Sequence, residues 1–354
     1  MLTRLAIHAL RGIPSLELDD LGRVNIFLGT NGAGKTTVLE ALWLMGQPTH
    51  PGHLINLGNW REMSPPALNS DQSLRSLFHL GNVTNSPTIH FAHDGMAESL
   101  TIDAITEEND GLANPASELT AVSDSLEMYA WKNLSGVKVT FRDSNQNEIS
   151  STMRLHSNGF QADAPAKKHA GLGTFFIHAR RSTSIGETAS LLTSMTRTKT
   201  TGAFNNAMKT IDPRVIALHP GATGTTPLVY VDIGEMEMLP INVMGDGFCR
   251  VALMVTGLHY ATPQMLVVDE IDSGLHWSVM ERFWKMLLQS ASNKQIFCST
   301  HNEEMLAKTL PAFAEDPDAL RIFRLDRLSD GQIIAKKYNY DRYKLAVETG
   351  VEIR

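Results

Sequence analysis

Hydrophobic and polar positions along the 354-residue chain change their period from region to region. Val24-Asn-Ile-Phe-Leu28 is a short β-rich run that stops at Gly29. Behind it, Val38, Leu39, Leu42 and Met45 recur at three- and four-residue steps, the period of a helix laid on a sheet. Gln47-Pro-Thr-His-Pro-Gly52 ends that helix. The opening, residues 1–45, therefore reads strand, turn, strand, glycine loop, helix. Residues 46–173 are the least legible part, with strand-like patterning in two stretches. Thr88–His93 with Ser99–Ile105 around Asp94-Gly95 predicts one antiparallel hairpin, and Val137–Arg142 with Glu148–Leu155 around Ser144–Asn147 a second. Between them, polar Thr106–Ala121 predicts an exposed loop.

Thr174-Phe-Phe-Ile-His178 is β-like and stops at Arg180-Arg181; a helical lobe is expected to follow, ending in a linker-like Gly221–Thr226. From Leu228 the pattern predicts a hairpin (Leu228–Ile233, Met236–Val243) and a helix opened by Met244-Gly-Asp-Gly247, with Phe248, Val251, Val255 and Leu258 inward. Met265–Val268 and Gln295–Cys298 are further buried strands, a helix starts near Trp277, and a last hairpin turns at Asp330-Gly331. Strands alternating with helices at both ends of the chain predict an α/β fold with a mixed sheet, an antiparallel β lobe and a helical lobe. The expected division is a core (1–45 and 226–354), a hairpin-rich insert (46–173), and a core strand plus helical lobe (174–225).

Composition narrows the class. Lys+Arg 31 against Asp+Glu 38 excludes a wholly basic nucleic-acid coat, and 42% hydrophobic with 19% charged residues excludes a disordered or fibrous chain. Cys249 and Cys298 cannot build a disulfide framework. Val251–Val268 lacks charge but holds Gly257, His259, Pro263 and Gln264, so it reads as helix, turn and strand. Met1–His8 shows no charged leader before an apolar stretch. The expectation is a soluble, cytoplasmic protein.

Gly29-Thr-Asn-Gly-Ala-Gly-Lys-Thr36 fits the P-loop pattern G-x-x-x-x-G-K-[ST] between a strand and a helix. Its backbone N–H groups, from Gly29, Asn31, Gly32, Ala33 and Gly34 through Thr37, would curl around phosphate oxygens. Lys35 would reach the β- and γ-phosphates and Thr36 would ligate Mg²⁺. In Met265-Leu-Val-Val-Asp-Glu270 two acids follow a strand apolar on both faces, placing them at the sheet edge where ligands bind. Asp269 is the expected second metal ligand and Glu270 the residue that polarises the attacking water. His301, after Gln295–Thr300, is the expected γ-phosphate sensor. The helix opening Met244, Gly245, Asp246, Gly247 offers free N–H groups for an anion. His50-x-x-His53 straddles Pro51 without a nearby acid or cysteine, and His90 and His93 fall on opposite strand faces; neither makes a metal pair. Lys336-Lys337 reads as a charged edge strand.

The order of P-loop, glycine-opened helix, Asp-Glu strand and histidine strand resembles the ATP-binding cassette ATPases, and within them the overcoming-lysogenisation-defect (OLD)/AAA15-like type. Leu5–Ile13 resembles that family's first strand and Arg-Gly turn, and Gly245-Asp-Gly247 with Arg250 its signature. Asp272-Ser-Gly-Leu-His276 resembles its D-loop, and Tyr343–Arg354 its C-terminal tail. The resemblance implies ATP and Mg²⁺ as cofactors and a homodimer or larger homo-oligomer in which one protomer's P-loop meets the other's Met244–Gly247. It further implies prokaryotic anti-phage defence or DNA processing, as in two-gene systems such as PARIS, with DNA or a phage protein as a further partner. Such proteins usually carry a TOPRIM nuclease behind the ATPase; about 53 residues follow His301, so a separate nuclease or toxin chain is expected. The chain departs from the family pattern in two places. Met244 replaces the usual signature serine, which predicts slow hydrolysis, and no Q-loop glutamine follows Thr174–His178. Two alternatives stand beside this reading: an ATP-dependent scaffold with little turnover, and the nucleotide-binding subunit of a membrane transporter.

Overall fold

All five residues of Val24–Leu28 are buried, and alternate side chains enter different cores. Val24, Ile26 and Leu28 join a helical core on one side, while Phe27 joins a second core on the other. Leu266 and Val268 against Met265 and Val267, and Ile296 and Cys298 against Phe297, repeat the division. Such unbroken apolar runs mark a sheet covered on both faces. A computed structural model describes residues 1–50, 52–61, 71–106, 134–156, 159–163, 171–179, 185–259, 264–291, 293–302, 306 and 308–350. The predicted loop beyond Thr106, Arg180-Arg181 and Glu352–Arg354 lie outside the described residues.

The strands are β1 (Leu2–Leu10), β2 (Ile13–Asp19), β3 (Val24–Leu28), β4 (Thr88–His93), β5 (Met96–Thr106), β6 (Leu134–Arg142), β7 (Glu148–His156) and β8 (Gly159–Asp163). After them come β9 (Thr174–Ile177), β10 (Ala217–Thr223), β11 (Thr226–Asp232), β12 (Leu239–Pro240), β13 (Met265–Val268), β14 (Gln295–Ser299), β15 (Leu320–Arg327) and β16 (Ile333–Asn339). The covered sheet runs β16-β15-β3-β14-β13-β9 and is parallel except for β16. A seven-stranded antiparallel sheet runs β2-β1-β4-β5-β6-β7-β8, so the first two strands share a sheet with strands of the 46–173 stretch. The third sheet is β10-β11-β12. Mixed sheet and antiparallel layer accord with the predicted α/β class.

Helix α1 (Lys35–Gly46) belongs to the core beneath the antiparallel sheet, followed by α2 (Gly52–Trp60) and α3 (Gln72–Arg75). Helices α4 (Ile185–Arg197), α5 (Thr201–Ile211), α6 (Asp246–His259) and α7 (Met280–Ser290) cover the other face. Among the described residues no helix is long and apolar enough to cross a membrane.

Residues 217–243 differ from the sequence reading. The expected linker Gly221–Thr226 is a hairpin turn at Gly224, joining β10 to β11 with Thr223 opposite Thr226. Pro220 is tolerated because β10 is an edge strand, where a missing N–H costs no ladder bond. Of the expected strand Met236–Val243 only Leu239–Pro240 pairs, and Ile241–Met244 is a 3₁₀ turn. Lys336 and Lys337, on edge strand β16, meet Asp326 at 3.0 Å and Asp19 at 3.2 Å.

Trp43 of α1 stacks on His53 of α2 with ring centroids 4.0 Å apart, and His53 Nδ1 donates to the Trp43 carbonyl at 3.2 Å. The ring is thus spent on packing. Burial lowers the His53 pKa to about 4. The folded state keeps His53 neutral while the unfolded chain protonates it near 6.5, so this stability is full above pH 6.5 and is lost as pH falls toward 4. His53→Gln should therefore show a smaller drop in melting temperature between pH 7 and pH 5 than the wild type. An unchanged drop would remove His53 from the acid response.

Candidate active site

The parallel register lines up the carboxyl ends of four strands. Val268 pairs with Ile177 on one side and Cys298 on the other, and Ser299 pairs with Phe27. His178, Asp269, Ser299 and the P-loop therefore emerge along one edge. Gly29 has φ 138, and a Cβ there would lie 2.2 Å from the Leu325 carbonyl of β15, so only glycine fits. The loop then turns through Gly32 and Gly34, both at positive φ, into α1. Lys35, largely buried, folds back to donate to the carbonyls of Gly29 at 2.7 Å and Thr30 at 3.0 Å. Burial lowers its pKa, opposed by the charges of Asp269 and Glu270.

Thr36 Oγ1 donates to Asp269 Oδ2 at 3.0 Å across 233 positions of sequence. The other oxygen, Oδ1, accepts from Ser299 Oγ at 2.6 Å, and that hydroxyl accepts from the Glu270 N–H at 2.8 Å. Asp269 is 5% exposed, and such a buried carboxylate needs these donors. Glu270 occupies the left-handed region at φ 51, costly for a side-chain-bearing residue, and turns the chain sharply after β13. Its carboxylate stands at the cleft, about half exposed, with Oε1 3.9 Å from His301 Nε2. Thr36 and Asp269 form a hard-oxygen pair suited to Mg²⁺, which commonly keeps waters and takes few protein ligands. Among the described residues no group of three or more His, Cys, Asp and Glu side chains could hold a metal on its own.

Lys35, Thr36, Thr37, Asn31, Gly32, Gly34, Asp269, Glu270 and His301 all line one cleft of about 520 Å³. Met244, Gly245, Asp246 and Gly247 do not line it. Gly245 and Asp246 are exposed at the start of α6, whereas Gly247 is buried. A Cβ on Gly247 would meet the Gly274 carbonyl at 2.0 Å, so this glycine is required by packing of α6 on the 272–276 turn within the chain. Arg250, one turn further on, donates to the carbonyls of Asp269 at 2.5 Å and Glu270 at 3.3 Å. Burial lowers its pKa against the opposing pull of Asp269, Glu270 and Asp272.

Sequence reasoning missed several residues in and behind the cleft. Ser299, buried behind Asp269, carried one signal, a polar residue ending an apolar strand two positions before His301. Arg11, Arg61, His178 and Arg327 line the cleft. Arg327 bonds the carbonyls of Gly32 at 3.0 Å, Gly331 at 3.1 Å and Gly12 at 2.6 Å, joining three turns. Arg11 falls in the Arg-Gly turn of the sequence, whereas the Glu40 contact of Arg61 and the Gly12 and Gly32 contacts of Arg327 span tens to hundreds of positions and leave no local motif.

A family model described as "AAA domain, putative AbiEii toxin, Type IV TA system" matches residues 109–307, opening beyond the P-loop. An "ATP/GTP phosphatase" of Helicobacter pylori is 22% identical over 327 residues, 86% of each chain. The "DNA replication and repair protein RecF" of Psychromonas ingrahamii is 47% identical over 45 residues, 13% of this chain and 12% of that protein. The SMC head domain from Thermotoga maritima has a TM-score of 0.45 at 12% identity, covering 96% of this chain and 99% of that one. The Smc head domain derived from Pyrococcus furiosus, bound to the C-terminal domain of ScpA, has a TM-score of 0.49 at 11% identity, covering 99% and 100%. The family model spans more than half of the chain, and the protein belongs to that AAA-domain family.

Proposed function

We propose that the chain binds and hydrolyses ATP in the cleft above α1 and works as the ATPase or sensor subunit of a prokaryotic defence or DNA-processing assembly. The observation that carries the reading is the Thr36–Asp269 hydrogen bond, which joins the P-loop to the acidic strand beside Lys35. Lys35 would exchange its two carbonyl partners for phosphate oxygens, keeping its charge compensated. Thr36 and Asp269 would hold Mg²⁺, which supplies charge neutralisation at the phosphates. Glu270 orients and polarises water, and His301, within reach of Glu270, donates to the terminal phosphate. Exposed Gly245 and Asp246, lying off their own chain's cleft, would close the cleft of a second copy, making a nucleotide-sandwich dimer. The likeness to a toxin-type AAA-domain family and to the Helicobacter ATP/GTP phosphatase, with the OLD-type resemblance of the motifs, favours this class with a separate nuclease or toxin as effector. Met244 in place of a hydroxyl favours slow turnover, and in the scaffold reading the same site binds ATP with almost none.

Lys35→Ala should abolish tight ATP binding, measured by equilibrium titration of labelled ATP; near-wild-type binding would take Gly29–Thr36 out of the site. Glu270→Gln should retain ATP, stop hydrolysis and accumulate a larger species by light scattering. Turnover equal to the wild type would show that Glu270 does not activate the water. Wild-type turnover far below about 1 s⁻¹ would favour the scaffold over the enzyme.

Mixing two inactive variants tests the shared site. Asp246→Tyr blocks the exposed signature without the clash expected at Gly247, and Lys35→Ala removes the P-loop cation. Their heterodimer has one intact site, so partial recovery of ATPase activity is expected. Proven heterodimers without recovery would contradict independent sites completed in trans.

A further inference from the structure

Glu40 lies on α1, one helical turn beyond Thr36, and is fully buried. Its carboxylate carries two cations. Arg11, from the turn between β1 and β2, brings Nε to 2.7 Å of Oε2; Arg61, just beyond α2, brings Nε to 2.7 Å of Oε1 and Nη2 to 3.0 Å of Oε2. Both arginines line the same cleft as Lys35 and Asp269.

Charge and donor counts do not close within this cluster. One carboxylate faces two guanidinium groups, which leaves a net positive charge. Arg11 is 8% exposed; its Nη1 reaches Ser76 Oγ at 2.9 Å, but Nη2 meets no acceptor among the described residues. A buried donor without a partner is costly, and more so on a charged group. Arg11 also occupies the left-handed region at φ 51, held there by its N–H to the Leu77 carbonyl at 2.9 Å. The backbone is thus committed to presenting this arginine beside α1. Arg61 is the accessible member of the pair: its side chain is 29% exposed and lines the cleft, with the buried charge of Arg11 behind it.

We propose that Glu40 is a positioning residue: it orients Arg61, backed by the buried charge of Arg11, as a second anion subsite in the cleft that takes a phosphoryl oxygen of the bound nucleotide. The inference rests on reading the cleft as a nucleotide site. Guanidinium forks suit phosphate better than a point charge does. Glu40 sets where the forks stand without touching the ligand.

Equilibrium binding of labelled ATP with Mg²⁺, measured on folded protein, tests this through a double-variant cycle. Arg61→Met should weaken binding on the order of tenfold, as for loss of one charged hydrogen bond. Glu40→Gln should weaken it several-fold, and the double variant by clearly less than the product, because Glu40 acts through the arginines. A structural role alone would lower the melting temperature of Glu40→Gln and leave the affinity of its folded fraction intact; that result overturns the proposal, as do effects that multiply. Should Glu40→Gln fail to fold, Arg61→Lys decides, since one ammonium cannot serve Glu40 and a phosphate with a fork's geometry. It should bind several-fold more weakly, and wild-type affinity would overturn the proposal. Loss of binding in Lys35→Ala with unaltered affinity in these variants would sink the subsite and leave the nucleotide site standing; binding retained in Lys35→Ala would sink the site itself.

Discussion

Asp269 is a carboxylate that three strand ends must agree upon. It leaves β13 almost wholly buried, and its two oxygens are held by hydroxyls from α1 and β14. An ionised carboxylate in such a place is tolerable only where donors and nearby cations replace water. Lys35 and Arg250 are those cations, one inside the P-loop and one reaching the backbone carbonyl of Asp269 from α6. Removing one member of such a group leaves a buried charge uncompensated, at about 3–5 kcal/mol in comparable cases. The covered sheet, with its side chains divided between two cores, keeps the register rigid enough to satisfy it.

The same arrangement links the site to the rest of the molecule. Gln295, buried at the start of β14, accepts from the Leu2 N–H at 2.9 Å and donates to the carbonyls of Leu2 and Gly22, each at 2.8 Å. The antiparallel sheet is thereby tied to the central strand that ends in Ser299. On the opposite face, α6 is fixed to the turn after β13 by the approach of Gly247 to Gly274 and by Arg250. An exposed Gly245-Asp246 therefore sits on a helix that cannot shift without disturbing the backbone carbonyls of Asp269 and Glu270. Through this path, closure over Gly245-Asp246 and events at the acid pair would influence one another.

How much of this was legible follows from how local each signal is. The P-loop, the acid pair and His301 announce themselves through spacing within a few residues, and β3, β9, β13 and β14 through apolar runs. Their assembly along one edge required only the parallel α/β class. Gly247 was legible as part of a motif but not for its packing on Gly274, since a missing side chain gives no hint of what approaches it. Gly221–Thr226 reads as a linker because Pro220, Gly221 and Gly224 punctuate it, whereas most of β11 is legible as the strand Leu228–Ile233; the edge position of β10 accommodates Pro220. Arg11, Glu40 and Arg61 lie in unrelated segments, and only tertiary pairing shows that one carboxylate serves both arginines.

The central claim is that Thr36 and Asp269 meet to form a Mg²⁺-nucleotide site. Titration of a non-hydrolysable ATP analogue into the wild type and Asp269→Asn, each with and without Mg²⁺, tests it most directly. The account predicts that Mg²⁺ tightens binding to the wild type and that Asp269→Asn loses most of that gain while still binding the analogue weakly through the P-loop. Equal Mg²⁺ enhancement in both proteins would contradict it.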